Sequence, residues 1–123
     1  MIHRYSVGTD IVEVHRLRAM SETHGNRFYR RLFTEEEVNW CRTRRNPYVH
    51  LAGKFAAKEA VKKALAALGE TGTVPFSSVE VVRRDHSSPE VKIRCNLKGT
   101  YRFQVSISHT SHLATAVVLA ERT

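Results

Sequence analysis

The stretch from Leu51 to Leu65, read LAGKFAAKEAVKKAL, commits the middle of the chain to a long helix. At about 3.6 residues per turn, Leu51, Phe55 and Leu65 fall on one broad apolar side together with the alanines. The only acid of the segment, Glu59, stands among Lys54, Lys58, Lys62 and Lys63, with Lys63 one turn further on. Two readings fit this pattern. Glu59 and Lys63 form the ordinary ion pair of a solvated helix, worth roughly 0.2–0.5 kcal/mol. Alternatively, a carboxylate held on a rigid rod beside ammonium groups suits a hard cation gripping a polyphosphate, with lysines neutralising the phosphate oxygens. The segment alone is compatible with both.

The elements on either side define what that helix packs against. Ile2 to Val7 read as a short strand running into Gly8-Thr9-Asp10, so that Asp10 is expected at a strand end. Ile11, Val14, Leu17 and Met20 recur at helical spacing, which predicts a helix from Ile11 to about Glu22 with Thr9 or Asp10 as its N-cap. His24-Gly25-Asn26 interrupts it, and Arg27 to Leu32 form a further helical turn. Thr34 followed by Glu37 has the form of a capping box and predicts a helix to about Arg42. The three acids Glu35 to Glu37 serve that start, where they also meet the positive end of the helix dipole. The long helix is expected over Tyr48 to Leu68, and the loop 69–75, rich in turn formers, ends it.

Beyond the loop the apolar period changes from helical to two. Residues 79–83 and 91–95 predict a hairpin; Tyr101 to Ser108 and Leu113 to Ala120 predict two more strands joined by a polar turn at His109 to His112. The expected fold class is therefore α+β, a single domain over 1–123 with the long central helix packed on an antiparallel sheet.

Composition narrows the function classes. No apolar run approaches the roughly 18–20 residues needed to cross a bilayer, and the N-terminus has no continuous apolar core of the signal-peptide kind. Cytoplasmic residence without a membrane partner is the expectation. Cys41 and Cys95 lie far apart with no metal-type spacing and read as free thiols. A formal net charge of +8 on 123 residues predicts an anionic partner. Nucleic acid is not expected, because aromatic residues make up only 8% of the chain and are not interleaved with the basic residues 42–45 and 83–84 as a stacking surface requires. Neither a G-x-S-x-G elbow, nor HExxH or paired Cys/His spacing, nor a phosphate-binding glycine loop followed by lysine and a helix is present. Three candidates for chemistry remain. Asp10 either caps a helix or binds a metal. Glu59 supplies a second carboxylate oxygen. Ser106-Ile107-Ser108-His109-Thr110 presents hydroxyls and an imidazole, or is simply a polar hairpin turn.

Five separated blocks carry a resemblance. Gly8-Thr9-Asp10-Ile11-Val12-Glu13, Phe33-Thr34-Glu35-Glu36-Glu37, Leu51 through Ala60 (LAGKFAAKEA), Lys63-Ala64 and Val105-Ser106-Ile107-Ser108-His109-Thr110 closely resemble the bacterial holo-acyl-carrier-protein synthases, the short 4′-phosphopantetheinyl transferases, over nearly the whole chain and in the same order. The resemblance implies the fold of that family and transfer of the phosphopantetheine arm of coenzyme A to a serine of apo acyl-carrier protein, releasing adenosine 3′,5′-bisphosphate. It implies Mg²⁺ on Asp10 and Glu59, catalytic roles for Glu59 and Lys63, and coenzyme contacts from Lys54, Lys63, Ser106, His109 and Thr110. It further implies carrier docking on Arg16 and Arg27, and a homotrimer in which the His109–Thr110 turn serves the coenzyme of a neighbouring subunit. Three departures stand out: Lys54 where the family commonly has arginine, His86-Ser87-Ser88-Pro89 where it often has Asn-Gly-Lys-Pro, and Ala66-Ala67-Leu68-Gly69-Glu70 in place of a glycine-rich stretch.

Overall fold

The structure, a computed structural model, describes residues 4–83 and 88–123. In chain order it comprises β1 (Tyr5–Glu13), α1 (Val14–His24), α2 (Asn26–Leu32), α3 (Glu35–Arg42), α4 (Pro47–Ala67), a short 3₁₀ turn (Phe76–Ser78), β2 (Val79–Val82), β3 (Glu90–Ile93), β4 (Tyr101–His109) and β5 (Leu113–Arg122). The expected α+β class and long central helix are what is observed. The strands form a three-stranded antiparallel sheet in the order β1-β5-β4 and a separate β2-β3 hairpin.

Helix α4 starts with Pro47 in its first turn, where a missing N–H costs nothing. It stops at Gly69, whose φ of 84° admits the left-handed turn. The amides of Gly69 and Glu70 reach back to the carbonyls of Ala66 and Leu65, closing the helix end. Ala52, Ala56, Ala57, Ala60 and Ala64 of α4 and Ala114, Ala116 and Ala120 of β5 are all completely buried. Small side chains on both surfaces let the helix lie close on the sheet. The closest approach is at Gly8, where an added Cβ would stand 1.9 Å from the carbonyl oxygen of Ala60. Beside it the Ser6 hydroxyl donates to the carbonyl of Ala64 at 2.7 Å.

The start of the chain departs from the sequence reading. Strand β1 continues to Glu13, pairing residue for residue with β5 from Tyr5↔Glu121 to Glu13↔Leu113, so Asp10 lies within a strand and is not a helix cap. Ile11, expected on the buried side of a helix, is 64% exposed, while Val12 is buried. The spacing of Ile11, Val14 and Leu17 suits a helix, but the β-branched Ile11 and Val12 fit the ladder offered by β5, a partner some hundred residues later. Helix α1 begins only at Val14, after Glu13.

The local signals fared better. Thr34 accepts from the Glu37 amide at 3.2 Å while Glu37 accepts from the Thr34 amide at 2.8 Å, a complete capping box. Glu37 also has a second task. It is buried, and it accepts from Lys58 Nζ and from the Val81 amide, both at 2.8 Å. Lys58 is wholly buried as well and donates to the carbonyls of Phe76 and Val79. These bonds dock the β2-β3 hairpin on α3 and α4.

Candidate functional site

Two groups of functional side chains flank α4. The first lies where β1 crosses the helix. Lys63 Nζ sits 3.1 Å from Asp10 Oδ1 and 3.0 Å from the carbonyl oxygen of Thr9. The Asp10 side chain is 17% exposed and that of Lys63 55%, so the pair opens to solvent on the lysine side. The helical pair Glu59–Lys63 is not formed, because Lys63 is turned toward the strand. Among the described residues Glu59 has no ion pair or side-chain hydrogen bond. It is half-buried, next to the Ala60 on which Gly8 rests. The crossing thus presents two carboxylates and one ammonium group. Carboxylate oxygens are the donors that a hard divalent cation takes; among the described residues they stand as two, with no cluster of three or more acidic, histidine or cysteine side chains. Mg²⁺ is commonly held by one or two carboxylates, with substrate phosphates and water completing its shell.

The second group lines a cleft of about 670 Å³ between α4, the turn after α3, the β2-β3 hairpin and the end of β4. Its cationic and ring residues are Trp40, Arg44, His50, Lys54, Arg83 and His109. Lys54 is nearly enclosed, donating to the carbonyl of Val81 at 2.6 Å and lying 4.7 Å from the Trp40 ring centre. Burial pulls the Lys54 ammonium below its ordinary range. Arg44 stacks over the same indole at 4.0 Å. Five residues separate Lys54 from Glu59, about 140° around the helix, so the cleft and the Asp10–Lys63 crossing face different directions from one chain.

The β4-β5 turn divides the sequence-predicted residues further. His109 ends β4 and lines the cleft together with Ser108. The Thr110 hydroxyl accepts from the amides of His112 and Leu113 at 3.2 and 3.1 Å, which is the work of a turn residue, and its own O–H proton remains available. Ser106 lies on the outer, exposed face of the sheet, opposite Val117, and does not line the cleft. Residues 86 and 87 of the departing turn lie outside the described residues, while Pro89 lines the cleft. Cys41 and Cys95 are free. Burial pushes the Cys41 thiol up to about 12, which removes it as a nucleophile.

Arg16 is exposed on α1, and Arg27 borders a groove of about 330 Å³ between α1 and α2. That groove has an apolar floor of Met20, Phe28 and Leu32 and a basic rim of His24, Arg27 and Arg31. Sequence reasoning singled out Arg27 but not Arg31, one turn further along α2, although the i, i+4 spacing shows it. It also passed over Trp40 and His50, and weighed Arg44 only as part of the basic stretch 42–45; the three belong to different local contexts and meet only in the fold.

Comparison with known proteins identifies the family. A family model described as the 4′-phosphopantetheinyl transferase superfamily matches residues 6–118. The holo-[acyl-carrier-protein] synthase of Chlamydia trachomatis serovar L2 is 42% identical over 121 residues, 95% of this chain and 99% of that one. The enzyme of the same name from Chlorobaculum parvum is 39% identical over 115 residues, 94% and 97% of the two chains. Among solved structures, a Bacillus anthracis holo-(acyl-carrier-protein) synthase in complex with CoA (3′,5′-ADP) is 31% identical with a TM-score of 0.74, covering 95% of this chain and 96% of that one. The ACPS–CoA complex of Chronobacterium ammoniagenes aligns with a TM-score of 0.81 at 25% identity, covering 98% and 99%. The chain belongs to the 4′-phosphopantetheinyl transferase superfamily, among its holo-acyl-carrier-protein synthases.

Proposed function

We propose that this protein, as one domain over 1–123, transfers 4′-phosphopantetheine from coenzyme A to a serine hydroxyl of apo acyl-carrier protein in a Mg²⁺-dependent reaction, releasing adenosine 3′,5′-bisphosphate. The observation that carries the reading is the crossing of β1 and α4, where Lys63 meets Asp10 and where Glu59 has no ion pair or side-chain hydrogen bond among the described residues. In the reaction the serine oxygen bonds to the phosphorus that bears the pantetheine arm. The bond from that phosphorus to the bridging oxygen breaks, and the nucleotide departs with the electron pair. Lys63 supplies a point charge to the phosphate oxygens, which carry the developing charge of a phosphoryl transfer. The serine proton is assigned to Glu59 as general base, taken directly or through a water that it polarises. Asp10 and Glu59 are the residues that would hold Mg²⁺, which when bound neutralises pyrophosphate charge.

The nucleotide end of the coenzyme is assigned to the cationic cleft, with Lys54 and His109 lining it and Thr110 offering its hydroxyl proton beside it; Ser106, on the outer face of the sheet, is left to a coenzyme carried by a neighbouring copy. Because cleft and crossing diverge around α4, each active site is assembled from two copies of the chain in a homotrimer. The outer sheet face supports that assembly. Val7, Ile11, Val117 and Leu119 are 61%, 64%, 47% and 42% exposed on adjacent strands, an apolar surface of the kind that marks association. Arg16, Arg27 and the groove between α1 and α2 are assigned to the carrier protein, its acidic surface meeting the basic rim. No helix among the described residues is long and apolar enough to cross a membrane. We place the enzyme in the cytoplasm, serving fatty acid biosynthesis.

The test is intact-mass analysis of apo acyl-carrier protein incubated with the enzyme, coenzyme A and Mg²⁺. A phosphopantetheine adduct is expected, absent when the metal is chelated and lost in Asp10→Ala and Glu59→Ala. Full activity in both variants would sink the assignment.

A further inference from the structure

Three rings make a ladder along the wall of the cationic cleft. The Trp40 and His50 rings stand 5.4 Å apart at 86°, and the His50 and His109 rings 5.5 Å apart at 74°, both edge to face. Trp40 is fixed from behind by Arg44 and Lys54. His109, by contrast, is exposed at the end of β4, and among the described residues its imidazole makes no hydrogen bond and touches no ring but that of His50. The direction in which His109 points is therefore set by His50.

We propose that His50 is a positioning residue of the cleft: backed by Trp40, its ring holds the His109 imidazole at the angle at which it meets the phosphate of a bound 3′-phosphorylated nucleotide. This rests on the reading of the cleft as the coenzyme's nucleotide subsite. The electrostatics agree with the geometry. Burial first, then His109 from β4, Arg44 from the turn after α3, Arg83 after β2 and Lys54 from α4, hold the His50 imidazole below its ordinary range. At neutral pH His50 is thus uncharged and stacks against His109 without repelling it. A bound phosphate offsets the surrounding positive charge and favours protonation of His50. Binding therefore takes up a proton there and tightens as pH falls.

The experiment titrates the full-length protein and its His50→Ala, His50→Phe, His109→Ala and His50→Ala/His109→Ala variants with adenosine 3′,5′-bisphosphate by calorimetry, alongside KM for coenzyme A and kcat. His50→Ala is expected to raise Kd and KM about threefold to tenfold, the worth of one edge-to-face ring pair, with kcat at saturation little changed. His50→Phe, which keeps a ring but cannot take a proton, binds like the wild type at about pH 8 yet loses part of the tightening that the wild type shows at about pH 5.5. In the His109→Ala background the substitution at His50 adds nothing. Wild-type binding by His50→Ala, equal weakening by Phe and Ala at the higher pH, or an undiminished effect without His109 would overturn the proposal while leaving the cleft assignment standing. A wild-type protein that takes up no bisphosphate would overturn the cleft assignment and this inference together.

Discussion

Lys58 and Glu59 are neighbours in sequence with opposite fates. Glu59 has no ion pair or side-chain hydrogen bond among the described residues, whereas Lys58 is sealed among Glu37 and two backbone carbonyls with no exposed side-chain surface. Burial pulls the Lys58 ammonium below its ordinary range even with Glu37 beside it, the mark of a pair whose desolvation is only partly offset. Removing one member leaves the other as an uncompensated buried charge, a loss of about 3–5 kcal/mol. Urea denaturation of Lys58→Met should show that loss, and Glu37→Leu added to it should restore part of the stability. A Lys58→Met protein as stable as the parent would contradict the role. At this scale the sequence showed which residues were unusual but not whom they meet. Lys63 was legible as a neighbour of Glu59, yet its partner is Asp10, 53 residues away. Glu37 was legible as a cap and not as the counter-ion of a lysine on another helix.

Elements were legible where their causes are local. The capping box of α3, the glycine stops of α1 and α4 and the change of period after residue 75 each lie within a few residues of the effect. The end of β1 was not, because β5 decides it across the whole length of the chain. The loop after α4 is a further case, since its own Glu70 side chain fastens residues 69–72 to the segment 98–101. Glu70 accepts from the amides of Gly72, Lys98 and Gly99 and from the Tyr101 hydroxyl, tying the end of α4 to the start of β4. The amide bonds, that from Gly99 foremost, draw its carboxyl down to about 2 from an ordinary 4.5. The folded state therefore favours the carboxylate. Its contribution is fully present above about pH 4.5 and is lost as pH falls toward about 2. Glu70→Gln should lower the melting temperature at neutral pH and flatten the loss of stability across that acid window, as followed by circular dichroism. An unchanged acid profile would show that the clasp is not coupled to folding.

At the scale of the whole molecule, the residues proposed for a single reaction stand on different sides of one helix. Gly53, Lys54 and His50 line the cleft, while Glu59 is turned about 140° and Lys63 about 180° from Lys54 around the helix, so the two groups face different directions from one chain. Yet the sheet leaves Val7 beside Leu119, and Ile11 and Val117 nearby, on its open face. On the proposed homotrimer, a second copy seated there would remove apolar surface from water and bring its own cleft toward the first copy's carboxylates. No periodicity in the sequence could reveal this, because the outer residues of β1 and β5 alternate like those of any half-buried strand. The consequence is testable by complementation. Asp10→Ala leaves the cleft intact and His109→Ala leaves the crossing intact, so each homogeneous protein is impaired at every site. If the two variants are co-expressed and assemble at random, about a quarter of the sites pair an intact crossing with an intact cleft, and activity should return toward that fraction of wild type. Ile11→Glu in both variants, which charges the shared face, should abolish the recovery and yield monomers in sedimentation equilibrium. Activity in the mixture no greater than the mean of the two parents would show instead that each chain completes its own site.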